Sequence, residues 1–425
     1  MINIAVLGCG TVGSGVCRLI EQNAGDISKR LGDDIRVKKV LERDTARVKA
    51  LGFSDSQITQ NIDDIVNDSE IQIVVETMGG TDASFRFISA CMESGKHIVT
   101  SNKDLVELRW DELFENAAQH NVDFYFEAAV CGGIPVILPI KNSLAANRII
   151  EIIGILNGTT NYILSKMSAD GISYDEALGL AQQSGFAEAD PTSDVSGADA
   201  ARKLSILSRL AFNTKLTLGD IYREGITNIE ACDIETARSM GYSIKLVAVA
   251  AQDDDGRISA YVRPAFVSSE HPISSVNYEY NALFLRGDAV DDVMLYGKGA
   301  GSMPTASSVV GDVINVGRNI KRGKNSRTTG FCYESREVLC ASEIINKFYL
   351  RLQVQDKPRV LAGIADAFGS HDISLASLVQ HPAADGTATL IIITHPAKEA
   401  ALRGAMDDLM KGGHVSSMSA MICID

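Results

Sequence analysis

The sequence predicts an α/β protein in three parts: a doubly wound parallel sheet, a central α+β part with a mixed sheet, and a ferredoxin-like βαββαβ tail. Three observations carry this reading. Apolar strand-like runs alternate with helical patterns from Ile2 to Ala128. The alternation breaks at Gly132-Gly133-Ile134-Pro135, and longer helices and paired strand-like runs follow. A basic stretch poor in apolar residues, 320–329, precedes a last series of six alternating elements.

In the first part, Ile2 to Leu7 is a β-branched run ended by Gly8, and 11–22 follows with helical spacing at Val12, Val16, Leu19 and Ile20. Strands are expected at 35–41, 71–76, 97–100 and 123–128, and helices near 82–94 and 105–119. In the middle, a helix near 135–146 leads to a strand over 148–156 and a polar loop, Asn157-Gly158-Thr159-Thr160-Asn161. Helices near 174–184 and 197–211 come next, then strand-like runs at 244–251, 257–266, 281–287 and 291–296. A helix near 303–318 begins after Gly297-Lys298-Gly299-Ala300-Gly301. The tail reads strand 347–354, helix 358–368, strands 373–380 and 387–394, helix 397–411, strand 415–424. The expected division is 1–133, 134–320, a linker over 321–346, and 347–425, with helix 303–319 packing back on the first part.

Composition removes several function classes. The 425 residues carry a formal net charge of −14, which argues against a nucleic-acid binder needing a basic face. No apolar run reaches the roughly 18 residues of a membrane span, and no basic segment precedes the first apolar run as in a secretory signal. The eight cysteines are scattered without a C-x-x-C pair, so neither a zinc site nor a disulfide framework is indicated. Reduced thiols in a cytoplasmic protein are the expectation.

Gly8-x-Gly10-x-x-Gly13 lies between a predicted strand and a predicted helix inside a βαβ pattern. That context identifies a Rossmann dinucleotide site, with Thr11 and Val12 opening the helix whose N–H groups face the phosphates. The ribose selector at the end of the second strand is Glu42-Arg43. A carboxylate there suits the 2′-hydroxyl of NAD and an arginine the 2′-phosphate of NADP, so both stay open. Lys103, in Thr100-Ser101-Asn102-Lys103, follows another strand end and faces the same crevice, although a solvated loop lysine fits its position equally.

Residues 184–207 gather Glu188, Asp190, Asp194 and Asp199 ahead of Lys203. On a helix starting near Gly197, Asp199 and Lys203 are i and i+4 in the favourable acid-first order. Leu207 and Leu210 share that face, whereas Arg202 is expected to face solvent. A lysine on an apolar face must be paired or lose its proton, and can then donate to a developing alkoxide. Carboxylates beside it suit a substrate bearing an ammonium group. A purely structural ion pair is the plain alternative.

Taken together, these segments resemble homoserine dehydrogenase of the long, regulated type, over nearly the whole chain. The matching stretches are Gly8 to Gly13, Glu76 to Thr81, Thr100 to Lys103, Glu127 to Pro135, Leu156 to Asn161, Glu188 to Lys203 and Gly299 to Thr305. The resemblance implies reversible NAD(P)H-dependent reduction of aspartate 4-semialdehyde to homoserine, towards threonine and methionine. It makes Lys203 the proton donor, with Lys103 assisting and Asp199 orienting Lys203. Glu188 would hold the substrate ammonium, Asp194 support the site, and Gly158 and Thr159 offer backbone donors to the substrate carboxylate. Arg43, Thr77, Lys103 and Gly301 would join the glycine loop against NADP or NAD. The family's monovalent-cation site, commonly sodium, maps to Glu127 and the carbonyls of Val130, Gly132 and Ile134. The tail resembles an ACT domain, whose usual effector in this family is threonine. One departure stands out: Arg359 follows Pro358 where many ACT domains carry glycine. The resemblance also implies a homodimer or homotetramer. Two other readings fit the residues alone: a dehydrogenase of another amino-acid-like aldehyde, and a non-catalytic amino-acid sensor.

Overall fold

The computed structural model describes residues 1–324, 334 and 336–424. Residues 325–333 and 335, within the expected linker, lie outside the described residues, as does Cys332. The chain divides into two compact units: Met1–Ile149 with Arg202–Leu218 and Asn281–Ser335, and Ile150–Ala201 with Gly219–Tyr280 and Arg336–Asp425.

The first unit is built on a six-stranded sheet. Its strands are β1 (Ile2–Leu7), β2 (Ile35–Leu41), β3 (Ile58–Thr59), β4 (Ile71–Glu76), β5 (His97–Thr100) and β6 (Phe124–Tyr125), in the order β3-β2-β1-β4-β5-β6. All pairings are parallel. The order reverses between β1 and β4, and the crevice at that switch point is where doubly wound sheets bind ligands. Central strands bury both faces, which is why β1 and β4 read as continuous Val/Ile/Leu runs rather than alternating ones. The helix Ser302–Lys321 completes this core: Ala306, Val309, Val310, Val313 and Val316 pack with Ile4, Val16 and Ile20. The approach is close, since a Cβ on Gly15 would sit 2.7 Å from the Ser302 carbonyl oxygen.

In the second unit, β7 (Ile149–Ile155) is followed by β8 (Tyr222–Arg223), β9 (Tyr242–Gln252) and β10 (Ile258–Ser268). The hairpin β11 (Tyr280–Gly287) and β12 (Asp291–Lys298) falls almost wholly in the first unit. The tail supplies β13 (Ile345–Gln355), β14 (Leu375–Pro382), β15 (Thr387–Thr394), the short β16 (Ala397–Lys398) and β17 (Val415–Ile424). Its long strands run β17-β13-β15-β14, the ferredoxin-like arrangement, with antiparallel β13–β15, β13–β17 and β14–β15 pairs. The tail sheet is continuous with the middle one, because β17 pairs in parallel with β10 at Ala265–Cys423 and Phe266–Ile424. Buried ion pairs tie the two together. Arg263 on β10 donates to Glu399 at 2.8 Å, and Arg351 on β13 meets Asp233 at 2.8 Å.

The α/β class, the parallel first sheet and the βαββαβ tail follow the sequence reading, with the tail strands continuing the middle sheet; several local expectations do not. Residues 157–161 are not a loop. Asn157 caps the helix Gly158–Asp170, whose Tyr162, Ile163, Leu164 and Met167 are buried. The polar composition is that of a capped first turn buried by tertiary packing. The helix expected over 135–146 shrinks to a π-helical turn, Pro139–Ser143, and strand 123–128 shortens to β6 before the turn Glu127–Ala129. Helix 105–119 is two helices, Lys103–Leu108 and Trp110–Gln119, meeting at Arg109. Among the described residues no helix is long and apolar enough to cross a membrane.

Candidate active site

The glycine loop has the stereochemistry its spacing predicts. Gly8 sits at φ +87°, and a Cβ there would meet the Met78 backbone at 2.8 Å. A Cβ on Gly13 would overlap the Gly8 carbonyl oxygen. By contrast, nothing lies within 4 Å of a Cβ built on Gly10. Thr77 braces the loop, its hydroxyl donating to the Gly8 carbonyl at 2.8 Å. Thr11 and Val12 open the helix Thr11–Gln22, and Gly301, at φ +119°, precedes the helix Ser302–Lys321. The Ser302 hydroxyl donates to the Thr11 carbonyl at 2.6 Å. A cleft of about 480 Å³ beside the loop is lined by Gly10, Thr11, Ser14, Arg18, Arg47 and Ser302, among others.

The selector positions separate in the fold. Glu42 turns back onto the loop: one carboxylate oxygen accepts the Cys9 N–H at 2.6 Å, and the other accepts those of Arg43 and Asp44 at 2.7 and 3.2 Å. Burial raises the Glu42 carboxyl, but these N–H groups and the Arg47 charge outweigh it and hold the group below the ordinary carboxylate range. Arg43 is exposed.

Lys103 is the first residue of the helix Lys103–Leu108, not a loop residue. Asn102 caps this helix by accepting the Leu105 N–H at 3.1 Å and donates to the Gly80 carbonyl at 2.7 Å. Within the same unit, Asp104 pairs with Arg202 at 3.2 Å, and Glu107 pairs with Arg209 at 3.6 Å. The segments bearing Lys103 and Lys203 are therefore stitched together by their neighbours, and both lysines are half-buried. Arg202 corrects the expectation of a solvent-facing charge: its side chain is 29% exposed and spent on Asp104. The helix is buried on more than one face, which apolar spacing alone does not reveal.

In the second unit one side chain bridges two carboxylates of the segment. The Asn157 amide nitrogen donates to Asp194 at 2.7 Å and to Asp199 at 2.9 Å. Asp199 is buried and Asp194 half-buried. Gly158 and Thr159 form the first turn of the helix capped by Asn157. The Thr159 hydroxyl donates to the Phe186 carbonyl at 2.7 Å, drawing the chain just before Glu188 towards this turn. Glu188 itself is exposed, and its carbonyl accepts from Gln182. Sequence reading treated Asn157 as loop; the available signal was its place before a run of buried apolar residues.

A second acidic group lies in the first unit. The Glu127 carboxylate accepts the N–H groups of Val136, Ile137 and Leu138 at 2.5, 2.7 and 2.8 Å. Asp312 accepts the Glu127 N–H at 2.8 Å, with its other oxygen buried and unpartnered. Burial pushes both carboxyls up, Asp312 far up, and pushes the nearby Lys141 down. Val130, Gly132 and Ile134 are buried in the turn that follows. Among the described residues, no three His, Cys, Asp or Glu side chains are arranged to hold a metal ion.

On the tail, a cavity of about 360 Å³ is lined by residues of the segment Val354–Leu361 together with Gln380. Arg359 lies beside it at φ +76°, in the left-handed region that favours glycine.

Comparison with known proteins matches the chain to one family. The homoserine dehydrogenase family model matches residues 135–314, its NAD-binding domain 8–127, and the ACT domain 348–411. A homoserine dehydrogenase of Mycobacterium leprae is 39% identical over 434 residues, covering 100% of this chain and 98% of that protein. The crystal structure of one from Thiobacillus denitrificans matches with a TM-score of 0.93 and 36% identity, covering 100% of this chain and 98% of the other. A hyperthermophilic archaeal homoserine dehydrogenase in complex with NADPH matches with a TM-score of 0.62 and 27% identity, covering 74% of this chain and 97% of the other.

Proposed function

The chain belongs to the homoserine dehydrogenase family, and from that premise we propose how its own residues carry out the reaction and its regulation. The activity is the reversible NAD(P)H-dependent interconversion of aspartate 4-semialdehyde and homoserine. The chemistry supplied by the bound nicotinamide is hydride transfer to the aldehyde carbon. Lys203 donates the proton to the aldehyde oxygen, and Lys103 polarises that oxygen. Asp199, one helical turn before Lys203, orients it. Glu188 takes the substrate ammonium, with Asp194 supporting the site, and the first-turn N–H groups of Gly158 and Thr159 meet the substrate carboxylate. The observation that carries this reading is the Asp104–Arg202 ion pair, which sets the two lysine-bearing segments against each other.

NADP is the proposed cofactor. Three backbone N–H groups occupy most of the roughly four acceptor positions of the Glu42 carboxylate, which leaves little of it for a ribose hydroxyl. Exposed Arg43 is the residue that suits a 2′-phosphate, with Arg18 and Arg47 lining the neighbouring cleft. The loop contacts fall to Gly8, Gly10, Thr11, Val12 and Gly13, with Thr77, Lys103 and Gly301 at the margin.

A sodium ion fits the turn after Glu127. Among the described hydrogen bonds, none ends on the carbonyls of Val130, Gly132 or Ile134, which are buried. With its carboxylate committed to three N–H groups, Glu127 would reach the ion through its own carbonyl oxygen. The ACT tail takes an amino-acid effector, for which threonine is the proposal, and Arg359 reshapes the cavity that would receive it. The enzyme acts in the cytoplasm as a homodimer or homotetramer.

One assay tests the core of this. Homoserine oxidation is followed with NADP and NAD in parallel, with and without threonine, for the native chain and Lys203→Ala. Loss of most of kcat in the variant, with NADP binding retained, is expected. Near-normal turnover in Lys203→Ala overturns the proton-donor assignment.

A further inference from the structure

We propose that Asn157 is a positioning residue of the reaction, holding Asp194 and Asp199 in a single arrangement through its side-chain amide. This rests on the reading above, in which those two carboxylates serve the site. Asn157 is 5% exposed, so its amide finds its partners within the protein. Its oxygen accepts the Thr160 N–H at 2.9 Å and the Thr160 hydroxyl at 3.0 Å. A backbone N–H can meet only the oxygen, so the amide orientation is fixed by the helix cap itself. The nitrogen then faces away, and each of its two hydrogens meets one carboxylate, at 2.7 and 2.9 Å.

The residue type matters because two duties coincide. Ser, Thr, Asp and Asn all cap helices well. Asparagine alone among them adds two N–H donors in one plane. Aspartate would cap and add a third negative charge; serine would cap and offer one hydroxyl hydrogen at most. Asp194 comes from the short helix Thr192–Val195 and Asp199 from the helix Ala198–Phe212, so the amide also fixes the relation between two separate elements. Loss of the amide takes one donor from each carboxylate, and the like charges that face each other across it repel.

The test separates capping from bridging. Asn157→Asp and Asn157→Ser both keep a cap oxygen. Asn157→Asp is expected to lower kcat/KM for homoserine about 10- to 100-fold, the usual range for losing hydrogen bonds to charged groups. NADP binding should change little, whereas the thermal midpoint should fall, because a third carboxylate is buried beside two others. The deficit should narrow as pH falls, because a proton on the carboxyl introduced at position 157 restores one donor while Asp194 and Asp199 keep their charges. Asn157→Ser should show a smaller loss and no such pH dependence. If Asn157→Asp does not fold, the serine variant carries the comparison. Asp194→Asn and Asp199→Asn are run alongside. Crippled Asp variants beside an Asn157→Asp enzyme with native kcat/KM and pH profile would overturn the proposal alone. Native turnover in both Asp variants would overturn the reading of the site and the proposal with it.

Discussion

Two acidic clusters of this protein, Glu127 with Asp312 and Asp194 with Asp199, use carboxylates in opposite ways. In the first unit, Glu127 is saturated by three backbone N–H groups, and Asp312 accepts the N–H of Glu127 itself. Those donors belong to the main chain, so the carboxylate secures the turn into Pro139–Ser143 and cannot change partner without unfolding it. In the second unit, Asp194 and Asp199 share a side-chain amide. A side chain can be removed or altered while the backbone keeps its course. The comparison teaches that main-chain donors tie the Glu127 carboxylate to the course of the backbone, whereas the Asn157 side chain sets Asp194 and Asp199 independently of it.

Glu127→Ala probes the structural side and has the largest expected effect on folding. It strands three buried N–H groups, and stability should fall by about 3–5 kcal/mol, the range for breaking one partner out of a buried charged interaction. Urea denaturation reads this directly. A midpoint unchanged from the native chain would break the distinction.

Asp199→Asn probes the other side. The substitution keeps an acceptor for Asn157 and deletes the charge. Turnover should fall roughly 100-fold, equal to about 2.7 kcal/mol in the barrier, while the thermal midpoint stays near that of the native chain. A large drop in midpoint with normal turnover would place Asp199 with Glu127 as a structural acid.

The smallest effect concerns His97, whose ring nitrogen accepts the Asp123 N–H at 2.9 Å at the edge of the first acidic group. Burial pushes His97 down to about 4. The folded chain therefore binds fewer protons than the unfolded one between about pH 4 and the ordinary histidine pKa of about 6.5. Stability from this group is present above that window and is lost as pH falls through it. His97→Asn should flatten the acid limb of a thermal-midpoint profile. An unchanged limb would assign the acid sensitivity elsewhere.

Much of this was legible in the sequence. The glycine spacing, the parallel β1–β6 sheet and the βαββαβ tail are set by local pattern: apolar period, turn residues and strand-to-helix alternation. Asp199 and Lys203 stand one turn apart on the helix Ala198–Phe212, as their spacing predicts. The left-handed backbone at Arg359 falls where the resemblance expected glycine.

Tertiary structure decided what local pattern cannot encode: which donor each buried acid meets. Glu42, beside Arg43 in sequence, turns its carboxylate onto the Cys9 N–H. Arg202 read as a surface charge until Asp104 met it. Asn157 read as loop until two carboxylates, 37 and 42 residues away, converged on its amide. Periodicity reports which face of an element is apolar. Hydrogen bonds between side chains distant in sequence depend on how the elements pack, and that packing places this chain's polar groups.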